Sequence, residues 1–346
     1  MLNRIVPYAG AHVGGVHVDT HSSPPRFYIF DSANNRVLGF LGFKPADLAN
    51  QVYGHADIVI GQHSMWDCGS ANGDNLHFLP PRRDTLALLP FPYVSSTAEA
   101  PRSGMMATDA SNNFYIVDLC NNRVLKYNDP FATDQLADEV WGQTTFTNRS
   151  PNNGQAAPPV TASNLYTQWI YGSTLGAFSA GVDVDAAGNV WVADSRNSRV
   201  LRFPAGAKVA DLVIGQQNFN SRLEGSSLNQ MHFPTGVRLH PQTGELLVLD
   251  GQMDWGVCRL LVFKPPFSTG MSAVRAVAGR VDTQASGLNW ARGFCIDPFE
   301  SNIVWIADGG NDRIVKVNYE TGALLDVIGQ PNLTTLMGVG KYVRPD

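Results

Sequence analysis

The sequence predicts an all-β fold made of repeated four-stranded units. Short apolar and β-branched segments, each bounded by Gly, Pro, Asn or Asp, recur along the whole chain. The 346 residues include 33 Gly and 21 Pro, as expected when many short strands are joined by tight turns. No segment has the 3.6-residue apolar periodicity that a helical repeat would require. With 44% hydrophobic residues, the chain can also form a sizeable core.

The clearest repeat unit covers residues 181–216 and contains four candidate strands, GVDVD, NVWVAD, RVLRF and ADLVIGQ. Similar segments recur in four other units of the chain. Four consecutive antiparallel strands, repeated radially so that each unit covers the face of its neighbour, form a β-propeller. We therefore predict a single propeller domain over residues 1–346, with blades that begin near residues 15, 104, 181, 236 and 293.

A constant pattern joins the second and third strands of a unit. An Asp ends the second strand and an Arg begins the third in the pairs Asp31 with Arg36, Asp118 with Arg123, Asp194 with Arg199, and Asp308 with Arg313. The fourth unit departs from this spacing, because a longer segment separates Asp250 from Arg259. The pattern resembles NHL repeats, in particular those of bacterial proteins whose blades end in IGQ. The resemblance implies a β-propeller, most often six-bladed, and a domain that often mediates contacts with proteins or RNA.

Six blades require one unit beyond the five complete blades that are visible. Residues 1–10 (MLNRIVPYAG) resemble a fourth strand, and residues 337–343 (MGVGKYV) resemble the start of a first strand. We expect these terminal segments to share a closing blade, a common way to avoid open sheet edges. A missing downstream segment is the other way in which the ring could be completed.

Charge and composition narrow the classes of partner. A net charge of −5 and a pI near 5.9 disfavour nucleic acid and anionic membrane surfaces. No apolar run approaches the roughly 18 residues that cross a bilayer, and residues 1–25 lack the pattern of an export signal. The richness in Asn, Ser, Thr and Gly and the resemblance to bacterial NHL proteins nevertheless favour a secreted or cell-surface location. The spacing of Cys68, Cys120, Cys258 and Cys295 leaves both disulfides and buried free thiols open.

Two long connections, residues 63–103 and 144–180, separate consecutive blades and are expected to emerge on one face of the disc. Loops longer than roughly 15 residues are usually functional or disordered. Aromatic side chains offer a large contact area at low entropic cost, which suits recognition. The candidate interaction residues are Trp66, His77, Phe91, Tyr93, Tyr166, Trp169 and Tyr171. The alternative is that these side chains pack onto the disc as a lid or a local core.

The middle position of the first strand, which lies nearest the central axis, varies from blade to blade. Its residues are His17, Met106, Asp183, Arg238 and Cys295. His17, Asp183 and Arg238 could bind a small ligand or ion in the channel. Alternatively, Asp183 and Arg238 form an ion pair between adjacent blades while His17 has a local hydrogen bond, since buried charges are normally paired.

No residues form a recognisable catalytic or cofactor motif. Some propellers that resemble NHL domains are lyases that hold zinc through histidines at matching positions of successive blades, whereas the eight histidines here occupy mismatched positions. Nucleophile-elbow and phosphate-loop motifs are absent from the sequence. We therefore predict no catalytic residues and no cofactor. A Ca²⁺ ion held by backbone carbonyls in the channel would leave no trace in the sequence and stays open.

Three functions are compatible with these observations. The favoured one is a non-enzymatic binding scaffold that presents its loop face to a protein or glycan partner. The alternative is an enzyme centred on the channel, of the lyase or lactonase kind and possibly metal-dependent. A structural module of a larger extracellular protein is the third and is compatible with the first. The sequence predicts no oligomeric state.

Overall fold

The computed structural model of the chain describes residues 13–42, 55–64, 79–88, 104–154, 160–171, 174–177, 179–251, 257–277, 287–289 and 291–330. In these residues the regular structure consists of β-strands and five 3-10 helices: Ser32–Asn34, Leu119–Asn121, Pro151–Gly154, Ser195–Asn197 and Gly309–Asn311. None of the described helices is long and apolar enough to span a bilayer.

Five antiparallel four-stranded blades follow one another along the chain, as an all-β propeller requires. Blade 1 contains Val13–Asp19, Arg26–Asp31, Arg36–Leu41 and Ile58–Ile60, and blade 2 contains Ala107–Thr108, Phe114–Asp118, Arg123–Tyr127 and Glu139–Trp141. Blade 3 contains Ala180–Val184, Val190–Asp194, Arg199–Phe203 and Leu212–Ile214. Blade 4 contains Pro234–Leu239, Leu246–Asp250, Arg259–Phe263 and Arg275–Val277, and blade 5 contains Ala291–Ile296, Ile303–Asp308, Arg313–Asn318 and Leu324–Ile328.

Two further pairings lie outside this four-stranded pattern. The strand Gly104–Met105 precedes blade 2 but pairs in parallel with Ala180–Gly181, at the start of blade 3. Within the second long connection, Gln168–Tyr171 and Thr174–Ala177 form an antiparallel hairpin. The connections between blades therefore contribute regular structure of their own.

Five blades lie within the described residues, whereas the resemblance to NHL repeats favours six. The segments expected to supply the closing blade, residues 1–10 and 337–343, lie outside the described residues. The five-blade part of the expectation therefore matches the observed sheets, and the sixth blade stays a prediction.

Apolar side chains on opposite faces of each inner blade pack against the two neighbouring blades. Between blades 3 and 4, Trp191 and Ile214 belong to one buried cluster with Val237, Val248 and Phe263. Comparable clusters lie between blades 4 and 5 and across blades 1, 2 and 3. Because the burial of apolar surface is the main favourable term in folding, these clusters are what hold successive blades together.

The outward faces of the first and last blades lack this cover. Ile328 in blade 5 and Ile214 in blade 3 occupy equivalent positions before a Gly-Gln pair, yet Ile328 is 54% exposed and Ile214 is fully buried. On blade 1, Val16 is 63% exposed, whereas the equivalent Val237 of blade 4 is fully buried. Blades 5 and 1 thus each present one apolar face that has no neighbouring blade among the described residues.

We predict that Ile214→Ala and Ile328→Ala have similar effects on stability, because the closing blade expected from the sequence would cover Ile328 as blade 4 covers Ile214. Ile214→Ala creates a cavity in the interface of blades 3 and 4 and should lower the free energy of unfolding by about 2–5 kcal/mol. Ile328→Ala should cost a comparable amount once a sixth blade packs on this face. Urea-induced unfolding of both variants measures the two losses. A loss under about 1 kcal/mol for Ile328→Ala would show that this face stays in water and would contradict the closing blade.

Candidate functional site

A buried ion pair recurs at the turn between the second and third strands. In blade 3, the 3-10 helix Ser195–Asn197 follows Asp194, and Ser198 then takes a left-handed conformation with φ 51°. The Arg199 Nε donates to Asp194 Oδ2 at 2.7 Å, and Asn197 Nδ2 donates to the same oxygen at 2.8 Å. The equivalent turns of blades 1, 2 and 5 place Asn or Asp at the left-handed position, as these residues tolerate it best.

The pair also holds the connection that enters its blade. The other carboxylate oxygen of Asp194 accepts a hydrogen bond from the backbone N–H of Tyr166 at 2.7 Å. Arg199 Nη2 donates to the carbonyl oxygens of Thr161 and Asn164 at 2.9 and 3.0 Å. We call this arrangement the Asp–Arg clamp. It fixes residues 161–166 of the second long connection to the rigid second and third strands of blade 3.

The clamp recurs with the same division of roles in other blades. The clamp Asp accepts a hydrogen bond from the backbone N–H of Ala87 in blade 2, of His232 in blade 4 and of Asn289 in blade 5. In blade 4 the longer segment between Asp250 and Arg259 leaves the pair intact, with Nε and Oδ2 3.0 Å apart. The clamps are thus structural, in keeping with their recurrence, and they position the connections on one face of the disc.

A second recurrent carboxylate closes the short turn on the opposite face. Asp109, Asp185 and Asp297 accept backbone N–H groups of their own turns. Each also accepts a side-chain hydrogen bond from an aromatic residue of the second strand: Tyr115 Oη at 2.9 Å, Trp191 Nε1 at 3.0 Å and Trp305 Nε1 at 2.8 Å. Blade 1 differs, because Asp19 instead bonds His21 Nδ1 at 2.8 Å.

The three channel residues proposed from the sequence lie near one another. Arg238 Nη1 lies 3.4 Å from Asp183 Oδ1, and the backbone N–H of Leu239 donates to Asp183 Oδ2 at 2.7 Å. The guanidinium also donates to the carbonyl oxygens of Val182 and Met106, at 2.9 and 2.8 Å. The ion pair between blades 3 and 4 is therefore present, and the same guanidinium occupies two carbonyls beside the channel. Ligand binding at these residues stays a prediction.

His17 contacts blade 2 rather than the Asp183–Arg238 pair. Its Nε2 lies 2.9 Å from Thr108 Oγ1. Burial, with a smaller contribution from the Arg238 charge, lowers the pKa of His17 from 6.5 to about 3. The imidazole is therefore neutral at physiological pH. Its hydrogen bond with the Thr108 hydroxyl links blade 1 to blade 2.

The alignment of the first strands needs one correction. Asp183 pairs with Trp191, and the blade 2 residue that pairs equivalently with Tyr115 is Ala107. Met106, expected at this position from the sequence, is one residue out of register and is buried. The reason is that Gly104–Met105 pairs with blade 3, so the first strand of blade 2 begins two residues after it. Cys295, the blade 5 residue at this position, is exposed.

The aromatic candidates of the two long connections have different outcomes. Trp66, His77, Phe91 and Tyr93 lie outside the described residues. Trp169 and Tyr171 lie in the hairpin strand Gln168–Tyr171. The Tyr166 ring is partly buried, and the Arg196 guanidinium lies over it, 5.6 Å from its centroid. The same guanidinium lies 4.8 Å from the centroid of the Phe233 ring.

A cleft lies at the outer rim between blades 2 and 3, and the sequence alone gives no sign of it. Its volume is about 410 Å³, and it is open to solvent on one side. The fourth strand of blade 2 contributes Glu139 and Val140, and the turn before the fourth strand of blade 3 contributes Lys208 and Val209. The remaining wall comes from the second long connection, including Phe146. A site built from three distant segments has no local motif by which the sequence could reveal it.

Cysteine and metal chemistry are sparse in the part of the chain that the structure describes. Cys120 and Cys258 are buried there, Cys295 is exposed, and Cys68 lies outside it. Among the same residues, no group of three or more His, Cys, Asp or Glu side chains is arranged to hold a metal ion.

Successive four-stranded blades, each fixed to its connection by an Asp–Arg clamp, define a repeat β-propeller. The NHL repeat family model matches residues 180–203, which span the first three strands of blade 3. The matched repeat and the propeller architecture both support the resemblance of this chain to NHL-repeat β-propellers. No curated protein sequence matches the chain.

Several solved structures are similar to this chain. Virginiamycin B lyase from Staphylococcus aureus shares 10% identity at a TM-score of 0.44, covering 94% of this chain and 72% of that one. Hydrazine synthase from Kuenenia stuttgartiensis shares 10% identity at a TM-score of 0.45, with coverages of 93% and 67%. A chain of a nidogen/laminin complex shares 10% identity at a TM-score of 0.44, with coverages of 89% and 77%.

We predict that loss of a clamp arginine is far more costly than loss of a surface arginine in the same strand. Arg199→Met leaves the Asp194 carboxylate buried without its partner and should lower the free energy of unfolding by about 3–5 kcal/mol. Arg202→Met is the matched control, because Arg202 pairs with Asp211 at the surface and should contribute under about 1 kcal/mol. Guanidinium-induced unfolding gives both values, and similar losses would refute a structural role for the clamp.

His17 should make the stability of the protein depend on pH. Its pKa is lower in the folded state, so the unfolded state binds a proton first as the pH falls below 6.5, and stability is lost from there towards pH 3. His17→Gln can keep the hydrogen bond to Thr108 without titrating. Between pH 6 and pH 4, thermal unfolding should show wild type losing up to about 1.4 kcal/mol per pH unit relative to the variant. Parallel pH profiles would refute this assignment.

Proposed function

We propose that this propeller is a non-enzymatic binding scaffold that presents its loop face to a protein or glycan partner outside the cell. The observation that carries the proposal is the fixed geometry of the second long connection. Four hydrogen bonds from the blade 3 clamp and from blade 2 hold its middle segment, at Thr161, Asn164, Tyr166 and Thr167. A surface that is ordered before binding loses little conformational entropy on association.

The loop face also carries side chains suited to recognition. Arg196 lies between the rings of Tyr166 and Phe233, at 5.6 and 4.8 Å from their centroids. Tyr and Arg are enriched among the residues that dominate binding energy at protein interfaces. Contact with two rings restricts the orientation of the guanidinium, so that less conformational entropy is lost when a partner binds.

Charge supports a partner other than nucleic acid. Five arginines are committed to the clamps: Arg36, Arg123, Arg199, Arg259 and Arg313. All five are buried, so one fifth of the 25 basic side chains cannot reach a phosphate backbone. With a net charge of −5, the accessible surface is still less attractive to a polyanion.

The alternative function, a channel-centred enzyme of the lyase or lactonase kind, would have to use groups that already have partners. A ligand bound by Asp183 and Arg238 must displace contacts that these residues make with each other and with the carbonyls of Val182 and Met106. These competing contacts are the reason for which we favour the loop face.

For the ring itself, we propose closure by a sixth blade to which residues 1–10 and 337–343 contribute strands. The exposed apolar faces of blades 5 and 1 support this proposal, because the equivalent faces of the inner blades are buried by a neighbour. Closure would protect Ile314, Ile328, Val16 and Val18, each at least 41% exposed among the described residues.

The scaffold proposal is tested by presenting the labelled protein to an array of glycans and a panel of extracellular proteins. A protein partner bound on the loop face should lose at least tenfold in affinity with Tyr166→Ala, which removes the ring but keeps the backbone N–H in its clamp. Ala187→Arg is the control, since it changes an exposed residue in a short turn on the opposite face. Binding that Ala187→Arg abolishes and Tyr166→Ala leaves intact would contradict the proposal, as would the absence of any partner.

A further inference from the structure

The cleft between blades 2 and 3 is built from rigid parts. Phe146 contributes its ring, and its carbonyl oxygen accepts a hydrogen bond from the blade 2 clamp residue Arg123. The Arg83 guanidinium lies over the same ring, 5.5 Å from its centroid. Across the cleft, the indole N–H of Trp141 donates to the carbonyl of Ala207 at 2.8 Å, which ties the turn of blade 3 to blade 2. Both sides of the cleft are therefore held in place without a ligand.

The cleft combines an apolar floor with balanced charge. Val140, Phe146 and Val209 provide the apolar surface, and Val209 is 60% exposed. The Glu139 carboxylate lies between two ammonium groups, 2.9 Å from Lys126 Nζ and 2.5 Å from Lys208 Nζ. Burial would raise the pKa of Glu139, but hydrogen bonds from these lysines outweigh it and lower the pKa. The carboxylate therefore stays ionised as an acceptor, and the Lys208 charge is already compensated.

One wall of the cleft holds an unsatisfied acceptor. Gln143 is buried, and its Nε2 donates to the carbonyls of Asn122 and Ser150 at 3.0 Å each, whereas its Oε1 has no hydrogen-bond partner. In blade 3, the equivalent oxygen of Gln216 accepts from the backbone N–H of Leu223 at 2.9 Å and from a serine hydroxyl at 3.0 Å, whereas the equivalent oxygen of Gln330 in blade 5 has no partner either. A buried acceptor without a partner is costly, so a donor bound against this wall would be favoured after a small shift of the side chain.

We propose that this cleft binds one or two neutral sugar units of a glycan. A sugar ring has a C–H face that packs on the Phe146 ring and hydroxyl groups that donate to Glu139 and Gln143 and accept from Lys208. A free anion is disfavoured because the cations at the cleft already have carboxylate partners, Lys126 and Lys208 with Glu139 and Arg83 with Asp138. The volume of about 410 Å³ lies within the range of small-ligand sites. This inference rests on the proposed scaffold function and names its partner class.

Matched variants test the cleft on the full chain. Phe146→Ala removes the packing surface, and Val209→Trp fills the cleft from an exposed position where folding is little affected. Phe219→Ala is the control, because Phe219 follows Gln216 as Phe146 follows Gln143, has its carbonyl held by Arg199, and does not line the cleft. The probes are neutral oligosaccharides on an array, with terminal glucose, galactose, mannose or N-acetylglucosamine, followed by calorimetric titration of the one bound best.

The expected result is binding that falls at least tenfold in Phe146→Ala and in Val209→Trp and stays within twofold of wild type in Phe219→Ala. Neutral sugar binding that survives both cleft variants would overturn the assignment of the cleft. Failure of every neutral glycan to bind at millimolar concentration would overturn it as well. In either case, a protein partner lost with Tyr166→Ala would leave the scaffold function standing, so the two failures are distinguishable.

Discussion

The Asp–Arg clamp is the interaction on which the rest of this structure depends. Taking two charges out of water is costly, and burial raises the pKa of Asp194 despite the opposing charge of Arg199. The cost is offset because both groups of the pair are hydrogen-bonded. The Asp194 carboxylate accepts hydrogen bonds from Arg199, from Asn197 and from a backbone N–H, and the Arg199 guanidinium donates to three carbonyl oxygens. Such a pair adds little net stability but admits only one arrangement of its partners.

The single arrangement that the Asp–Arg clamp admits joins the strands of a blade to the connection that enters it. The second and third strands of an inner blade are rigid because both neighbours cover them, and the clamp transfers this rigidity to the backbone that enters the blade. Connections of different length can therefore be held in the same way, as the intact pair of blade 4 illustrates. The propeller can vary its loop face while its sheets remain the same, which is why we look for function in the connections and not in the repeat.

Local patterns made most of the fold predictable from the sequence. Alternating β-branched runs predicted the strands, and the constant spacing of Asp and Arg predicted the turn, because both depend on neighbours in the chain. The register of blade 2 was not predictable, since Gly104–Met105 pairs with a strand that lies about 75 residues further on. The channel ion pair could be named in advance only as one of two alternatives, because Asp183 and Arg238 lie in different blades.

The cleft was beyond sequence reasoning for a related reason. Gln143 and Gln216 are the same residue in the same repeat position, and both hold their loops through Nε2. The difference lies in the connections that follow them. The connection after Gln216 supplies the Leu223 N–H to the carboxamide oxygen, whereas the connection after Gln143 leaves that oxygen unpaired in a cleft that the Phe146 ring also lines. Equivalent residues of a repeat protein can thus differ in their unsatisfied groups, as Gln143 and Gln330 differ from Gln216, and the difference becomes visible only when equivalent contacts are compared blade by blade.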